Sequence, residues 1–290
     1  MDAKRAAPDA GSDASSKRLR PGKPESKGVR ENYFKAAIKP GPGQRRQIGL
    51  WTGLRSSLVA EMLSTISGMD WFVIDMEHGP NEIVDVLTQL QASQYGHAEP
   101  IIRVPWNEPV IVKRVLDLGA QSILFPYVNT AEEARQAVAA TRYPPEGVRG
   151  VMSLARMNNY GAANPHYYRE AASQICTIVQ VETTQAVANI EEIAAVDGVD
   201  ALFVGPSDLA ASMGHIGNPN HPEVKEKIDE AFRRISATGK ASGFLSADHE
   251  ACRRVLKAGC TFVAVGGDMQ MLSKAVSTAA TEFHEFAKQL

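Results

Sequence analysis

Short apolar runs alternate with amphipathic segments along most of the chain. Eight runs are nearly continuous in apolar residues, as buried parallel strands are, and they span 47–51, 71–75, 101–104, 122–126, 177–181, 201–204, 241–244 and 262–265. Each is followed by a pattern of helical period, over 57–66, 81–95, 109–118, 130–141, 184–195, 222–238, 248–258 and 269 to the end. Eight strand–helix units in strict alternation predict an α/β fold, a single (β/α)8 TIM barrel. A doubly wound open sheet is the alternative, but no glycine-rich dinucleotide turn follows the first strand.

Two segments depart from this alternation. Residues 1–35 hold few hydrophobic residues, nine Lys or Arg and five Asp or Glu, so they bury too little apolar surface to order themselves. We therefore predict a disordered basic tail over 1–35 and a barrel domain over 36–290. The basic residues of 17–20 also fit a nuclear-targeting cluster, although a plain tail is the preferred interpretation. The second segment, 143–175, is a long connection that leaves the end of the barrel opposite the expected active site.

Composition narrows the class of protein. The chain has 290 residues, 44% hydrophobic and 22% charged, and a net charge of −2. These values are those of an ordinary globular protein and give no reason to expect nucleic-acid or membrane binding. The three cysteines, Cys176, Cys252 and Cys260, show no paired metal-ligand spacing. They indicate reduced thiols inside the cell, and we predict a cytoplasmic protein.

Two neighbouring strands of the predicted barrel are each followed by an acidic residue. Glu182 follows the fifth strand, and Asp208 comes shortly after the sixth. The active site of such a barrel lies at the carboxyl ends of its strands, so both carboxylates point to one rim and suit a divalent metal. The competing interpretation is that each acid caps the helix that follows it.

Other polar residues converge on the same rim. The second strand supplies Asp75 and His78, the third supplies Arg103, and the further candidates are Trp51, Gln180 and Ser207. Each alone has a structural explanation, since His78 can order a turn and Arg103 can join a structural ion pair. Together, in a purely structural role, they would destabilise the folded protein, because unpaired charges in such a position cost several kcal/mol each. We therefore predict a catalytic site.

The residue types indicate the chemistry. Two carboxylates without cysteine or paired histidine ligands favour Mg²⁺ or Mn²⁺, which act as Lewis acids on a carbonyl oxygen. Arg103 offers a guanidinium for a substrate carboxylate or a developing enolate. His78, oriented by Asp75, can transfer a proton near neutral pH. These residues predict enolate chemistry on a 2-oxo acid, by carbon–carbon cleavage or formation or by decarboxylation.

Several motifs carry a family resemblance. They read W-F-V-I-D-M-E-H-G-P, V-P-W-N-E-P, G-A-Q-S-I-L-F-P-Y-V, R-Y-P-P-E-G-V-R-G-V, Q-V-E, V-G-P-S-D-L-A-A-S-M-G and F-V-A-V-G-G-D, between residues 49 and 268. In this set the chain resembles the HpcH/HpaI family of class II, metal-dependent aldolases. The resemblance implies retro-aldol cleavage of a 4-hydroxy-2-oxo acid to pyruvate and an aldehyde, through a pyruvate enolate.

The resemblance also implies roles for individual residues. Glu182 and Asp208 would be the ligands of Mg²⁺ or Mn²⁺, with Co²⁺ also compatible. Arg103 would hold the pyruvate unit, and His78 with Asp75 would act as acid and base. Gln180 would line the metal and substrate pocket. From their places at the strand ends, we also predict that Ser207 and Trp51 bind the substrate. The family further implies a homo-oligomer, commonly a hexamer, in which subunits exchange the last helix.

Three alternatives stay open. Met152 stands where the family usually has glycine, and residues 158–168 also differ. These departures are compatible with a relative of macrophomate synthase, which decarboxylates oxaloacetate and uses the enolate for a second bond; Tyr160, Tyr167 or Tyr168 would then bind the second substrate. A phosphate-binding isomerase barrel is the second alternative, because Gly266 and Gly267 follow the last strand. A non-catalytic member is the third.

Overall fold

Eight parallel strands form a closed barrel in the computed structural model, which describes residues 29–290. The strands are β1 (Gln47–Thr52), β2 (Trp71–Asp75), β3 (Glu99–Arg103), β4 (Ser122–Phe125), β5 (Cys176–Val181), β6 (Ala201–Val204), β7 (Ala241–Leu245) and β8 (Phe262–Gly267). Each strand pairs with the next along the chain, and β8 pairs with β1 to close the barrel. The predicted (β/α)8 fold is confirmed, and the open sheet is excluded.

Helices cover the outside of the barrel. In the described residues they are α1 (Tyr33–Ala37), α2 (Ser57–Thr65), α3 (Ile83–Ala92), α4 (Pro109–Asp117), α5 (Ala131–Thr141), α6 (His166–Gln174), α7 (Thr184–Ala188), α8 (Ile190–Ala194), α9 (Pro206–Ser212), α10 (Pro222–Thr238), α11 (His249–Lys257) and α12 (Asp268–Ala287), with a 3₁₀ turn at Arg156–Asn158. The helix predicted over 184–195 is two helices, because Asn189 ends α7 and its side chain donates to the carbonyl oxygen of Asn129 at 2.7 Å. No helix of the described part is long and apolar enough to cross a membrane.

Aromatic side chains fill the interior of the barrel. Trp71 lies 5.5 Å from Phe262, and Phe203 lies 5.9 Å from Phe262, between ring centroids. A Cβ added at Gly243 would come within 2.4 Å of both phenylalanine rings. Glycine in β7 therefore makes room for two large rings in the interior layer.

Helix α1 closes the amino-terminal end of the barrel. The ring of Phe34 packs 5.8 Å from Trp71 and 5.3 Å from Phe262. The Asn32 side chain donates to the carbonyl oxygen of Gln121 at 3.0 Å and also caps α1. The folded part therefore begins before residue 36, where we placed its boundary. Residues 1–28 lie outside the described residues, and there the disordered tail and the targeting cluster remain predictions.

The long connection over 143–175 packs against the same end of the barrel. Arg149 is buried, pairs with Asp117 at the end of α4 at 3.1 Å, and lies over the rings of Tyr143 and Tyr167 at 4.6 and 5.6 Å. Arg156 donates to the carbonyl oxygen of Leu118 at 2.7 Å. Within one chain, this connection lies opposite the carboxyl ends of the strands, as predicted.

Candidate active site

A cavity of about 570 Å³ opens at the carboxyl ends of the strands. Its wall includes every residue that we predicted for the site: Trp51, Asp75, His78, Arg103, Gln180, Glu182, Ser207 and Asp208. They come from β1, β2, β3, β5 and the connections after β2, β5 and β6. The barrel therefore brings together residues that are more than 150 positions apart in the sequence.

Arg103 carries the one guanidinium among the eight predicted site residues in the described cavity wall. Two carboxylates hold it. It ends β3, directly opposite Asp75 at the end of β2. Its Nε and Nη2 donate to Asp75 at 2.9 and 2.5 Å, and its Nη1 lies 2.6 Å from Glu77. A guanidinium has five N–H donors. Hydrogen bonds to Asp75 use two of them, and the ion pair with Glu77 engages at most one more, so at least two remain for a ligand.

Asp75 is fixed from several sides. The indole N–H of Trp51 donates to it at 3.1 Å, and Arg103 also lies 4.8 Å from the Trp51 ring centroid. Burial acts to raise the pKa of Asp75, but hydrogen bonds and charge from Arg103 and Trp51 outweigh it and the net pKa is lowered. Asp75 is therefore an anion that orients Arg103.

The position of His78 differs from our prediction. Asp75 accepts from the backbone N–H groups of Glu77 and His78, at 2.9 and 3.2 Å, and it orders the turn after β2. The His78 side chain is 67% exposed at the cavity mouth, with its Nε2 3.8 Å from Glu77. The predicted pairing of this imidazole with Asp75 is not formed, because Arg103 engages both oxygens of that carboxylate.

Glu182 is a buried carboxylate at the centre of the site. The backbone N–H of Tyr127 donates to its Oε1 at 2.7 Å, and the Gln180 amide donates to its Oε2 at 2.5 Å. Tyr127 has a φ of +58°, a left-handed conformation that is strained for a tyrosine and directs its N–H to Glu182. Both carboxylate oxygens are therefore held in fixed positions.

Gly205 lies against the other side of this carboxylate. A Cβ at position 205 would stand 2.5 Å from Glu182 Oε2. Its backbone has a φ of −93° and a ψ of 102°, which any residue adopts. The requirement for glycine is therefore one of space rather than of backbone conformation.

A second and a third carboxylate face Glu182. Asp208 stands in the first turn of α9, next to Ser207, and both side chains are exposed to the cavity. Burial, and the charges of Asp208 and Glu77, raise the pKa of Glu182 to about 7 despite its hydrogen bonds. Burial also raises the pKa of Glu77. The site thus holds more negative charge than its own side chains neutralise.

The donor set fits a hard divalent cation. Glu182 and Asp208 supply carboxylate oxygens, and the buried amide oxygen of Gln180 has no hydrogen-bond partner in the described residues. Oxygen ligands of this kind suit Mg²⁺ or Mn²⁺. A cation here would also offset the burial and the neighbouring negative charges that together raise the pKa of Glu182.

The sequence matches a known family over residues 47–275, from β1 into α12. That range covers the complete barrel. This chain belongs to the HpcH/HpaI aldolase/citrate lyase family.

Several named proteins are similar to this chain. A 4-hydroxy-2-oxo-heptane-1,7-dioate aldolase of Escherichia coli is 49% identical over 254 residues, which cover 87% of this chain and 95% of that protein. The crystal structure of an HpcH/HpaI aldolase/citrate lyase family protein from Burkholderia cenocepacia J2315 is 39% identical, with a TM-score of 0.83, over 87% of this chain and 99% of that one. Macrophomate synthase is 25% identical, with a TM-score of 0.75, over 88% and 90% of the two chains.

The geometry of this HpcH/HpaI family member argues against the phosphate-binding alternative. Gly266 and Gly267 belong to β8, and the next residue is the buried Asp268. The Asp268 carboxylate accepts from the backbone N–H groups of Gly53 and Leu54, at 2.9 and 3.0 Å. A carboxylate directly after β8 would repel a phosphate bound at this place.

Two residues of this family member contribute to the site without a predicted catalytic or binding role. Glu77 pairs with Arg103, the structural ion pair that the sequence left open for this arginine. Tyr127 acts through its backbone; the signal that points to it is its place just after β4. By contrast, Tyr167 and Tyr168 lie in α6 at the opposite end of the barrel, so within one chain they do not reach this cavity.

Replacing Gly205 with alanine tests the fixed position of Glu182. We expect the added methyl group to push the Glu182 carboxylate aside and to weaken Mn²⁺ binding by at least about 10-fold, measured by electron paramagnetic resonance titration. Gly41→Ala is the control, because a Cβ added at that position would have nothing within 4 Å. Unchanged Mn²⁺ affinity in Gly205→Ala would contradict the contact.

Proposed function

We propose that this chain is a divalent-metal-dependent aldolase that cleaves a 4-hydroxy-2-oxo acid into pyruvate and an aldehyde. The class of activity, carbon–carbon cleavage by an enzyme of this family, was predicted from the sequence and is confirmed by the family match and the 49% identical relative. The observation that carries the proposal is one cavity in which Arg103, with two donors left, faces three oxygen donors suited to a cation. The relative's name points to 4-hydroxy-2-oxo-heptane-1,7-dioate as the substrate to test first.

Aldolases of this class depend on a divalent metal. Glu182 and Asp208 would hold the ion, with the Gln180 amide oxygen beside them. Bound there, Mg²⁺ or Mn²⁺ supplies Lewis-acid polarisation of the 2-oxo group; Co²⁺ fits the same ligands. The choice among these ions is part of the proposal.

Arg103 binds and orients the pyruvate half of the substrate. Its two remaining N–H donors suit the planar carboxylate of a 2-oxo acid. Asp75, Glu77 and Trp51 hold the guanidinium still before the substrate arrives, so little orientation entropy is lost on binding. As negative charge develops on the enolate oxygen, the same guanidinium stabilises it. Ser207, exposed at the rim, is placed to contact the substrate as well.

His78 moves the proton that the cleavage requires. Its exposed imidazole at the cavity mouth takes the proton of the C4 hydroxyl, directly or through a water. The C3–C4 bond then breaks, the C4 oxygen becomes the aldehyde carbonyl, and the electron pair passes into the pyruvate enolate. Return of the proton to C3 gives pyruvate. Glu77, 3.8 Å from His78 Nε2, is the acid that stabilises the imidazolium.

Decarboxylation of oxaloacetate is the second candidate activity. It is favoured by the likeness to macrophomate synthase and by the fact that it needs the same enolate in the same cavity. Carbon dioxide leaves from C4 in place of an aldehyde, and no base is needed to start the reaction. Binding of a second substrate finds no support from Tyr160, Tyr167 or Tyr168, none of which lines the cavity within one chain.

Pyruvate release tests the proposed reaction. We expect turnover of 4-hydroxy-2-oxo-heptane-1,7-dioate with Mg²⁺ or Mn²⁺, its loss with EDTA, and a fall of at least about 100-fold in Glu182→Gln, because the cation loses a buried ligand. Glu191→Gln is the matched control, since Glu191 pairs with Arg234 on the surface. Turnover that is indifferent to EDTA and to Glu182 would refute the assignment. A preference for oxaloacetate would select the second candidate.

Replacing His78 with alanine separates the two reactions. We expect retro-aldol kcat to fall by about 100-fold or more, because the general base is lost. Oxaloacetate decarboxylation should fall by less than about 10-fold, because no proton must leave before the bond breaks. Equal losses in the two assays would contradict the role of His78.

Oligomer formation through α12 is the last part of the proposal. After the buried Asp268, every side chain of this helix is exposed, and the large apolar ones are Met269, Met271, Leu272, Val276, Phe283 and Phe286. Such a helix is stabilised mainly by packing its apolar face, which here needs another subunit. This supports the hexamer with exchanged last helices that the family implies.

The unpaired buried cysteines support a cytoplasmic location for the protein. Recovery of the protein in an organelle fraction would speak against it.

A double replacement, Phe283→Ser with Phe286→Ser, tests this contact. We expect it to reduce the mass measured by light scattering to that of a smaller species, because two exposed aromatic anchors are lost. Tyr95→Ser is the control, since that exposed ring lies on another surface. An unchanged mass in the double variant, or a monomeric wild type, would refute the role of α12.

A further inference from the structure

Three side chains with metal-binding atoms meet on the connection between α9 and α10. His215 Nε2 lies 3.0 Å from Glu223 Oε2, and the His215 and His221 rings stack with centroids 3.6 Å apart. One ligand atom from each of the three residues lies within 4.8 Å of the other two. None of them belongs to the wall of the active-site cavity.

We propose that His215, His221 and Glu223 form a binding site for a transition metal of the Zn²⁺ class. Zinc is bound by histidine nitrogen and carboxylate oxygen at about 2.0–2.2 Å. In a tetrahedral site, ligand atoms at that range stand roughly 3.3 Å apart. The observed separations, 3.0 Å and at most 4.8 Å, reach this value through small rotations of side chains that are not fully buried.

The backbone prepares this arrangement. The N–H of His215 donates to Ala210 at 2.8 Å, and its carbonyl oxygen accepts from Asn218 at 2.9 Å, so the loop returns on itself. His221 caps α10, with its Nδ1 accepting from the N–H of Glu223 at 3.4 Å. The three ligands are therefore carried by a helix end and one tight loop. A cation would replace the direct contact between His215 and Glu223.

The ligand types separate this site from the active site. Two imidazoles and one carboxylate suit Zn²⁺ and related ions, whereas Mg²⁺ prefers oxygen donors. Glu182, Asp208 and Gln180 supply oxygen only. Excess Mg²⁺ should therefore fill the active site and leave the histidine site free. The inference does not rest on the proposed reaction, and a failure of one leaves the other intact.

A metal in this position would fix part of the active-site wall. Pro219 and Asn220 line the cavity and lie between the two histidines in the sequence. Gly214 and Gly217, with φ of +84° and +76°, give the loop its tight turns. Joining His215 to His221 and Glu223 through one ion closes the loop that carries Pro219 and Asn220. The site is thus a clamp at the rim of the cavity.

The test uses the tag-free Glu182→Gln, Asp208→Asn chain with Mg²⁺ in excess, titrated with Co²⁺ as a spectroscopic probe. We expect one Co²⁺ per chain, with the visible absorption of a low-coordinate site, displaced by one equivalent of Zn²⁺. His215→Phe keeps a stacked ring without the ligand nitrogen, and His221→Asn keeps the helix cap. Each should weaken Co²⁺ binding by at least about 10-fold, and Glu223→Gln should do the same.

Two further measurements complete the design. His97→Phe, an exposed histidine elsewhere, should bind Co²⁺ as the parent does. Hydrogen exchange of residues 213–221 should slow on Zn²⁺ addition in the parent and stay unchanged in His215→Phe. The proposal is overturned if the parent binds no Co²⁺ in the presence of Mg²⁺, if His215→Phe and His221→Asn bind it as the parent does, or if His97→Phe loses it equally.

Discussion

The excess of negative charge at one end of the barrel governs the site. Four acids meet at this cavity: Asp75 and Glu77, which pair with Arg103, and then Glu182 and Asp208. Arg103 is the guanidinium among these side chains. Arg103 is engaged by the first two acids, so the other two face each other uncompensated. Burial, joined by the charges of Asp208 and Glu77, raises the pKa of Glu182. The divalent cation that we propose at Glu182 and Asp208 would balance this charge.

The barrel makes this concentration of charge possible. Parallel pairing places Arg103 opposite Asp75 and aligns the ends of β5 and β6, so residues distant in sequence reach one rim. The packed aromatic interior and α1 support the rim from below, because the strands cannot move inward against filled space. Gly205 then allows the backbone after β6 to approach Glu182 closely. Fold and site depend on the same close packing.

Strand ends were the part of the site that the sequence predicted well. Glu182, Asp208 and Arg103 reach the cavity because each stands at or after the end of an apolar run, and the fold fixes where such ends point. The predicted pairing of the His78 side chain with Asp75 was wrong, because sequence spacing suggests only local pairs. The bidentate hydrogen bond from Arg103 instead crosses between strands and engages both Asp75 oxygens. Helix α1 escaped prediction because only Phe34 and Ile38 mark its apolar side. Tyr127 acts through a backbone N–H, which no side-chain pattern reveals.

The connection between β6 and α10 joins both metal-binding proposals. It begins with Gly205, carries Asp208 in α9, turns through His215, lines the cavity with Pro219 and Asn220, and ends at His221 and Glu223. Only its start is held by burial, since the loop from Gly214 to Asn220 is largely exposed. Backbone hydrogen bonds hold this exposed loop, and with little burial it gains further order from a bound ligand. A histidine-bound ion at its far end would supply that order without using any group of the reaction, so catalysis and loop order would depend on different ions.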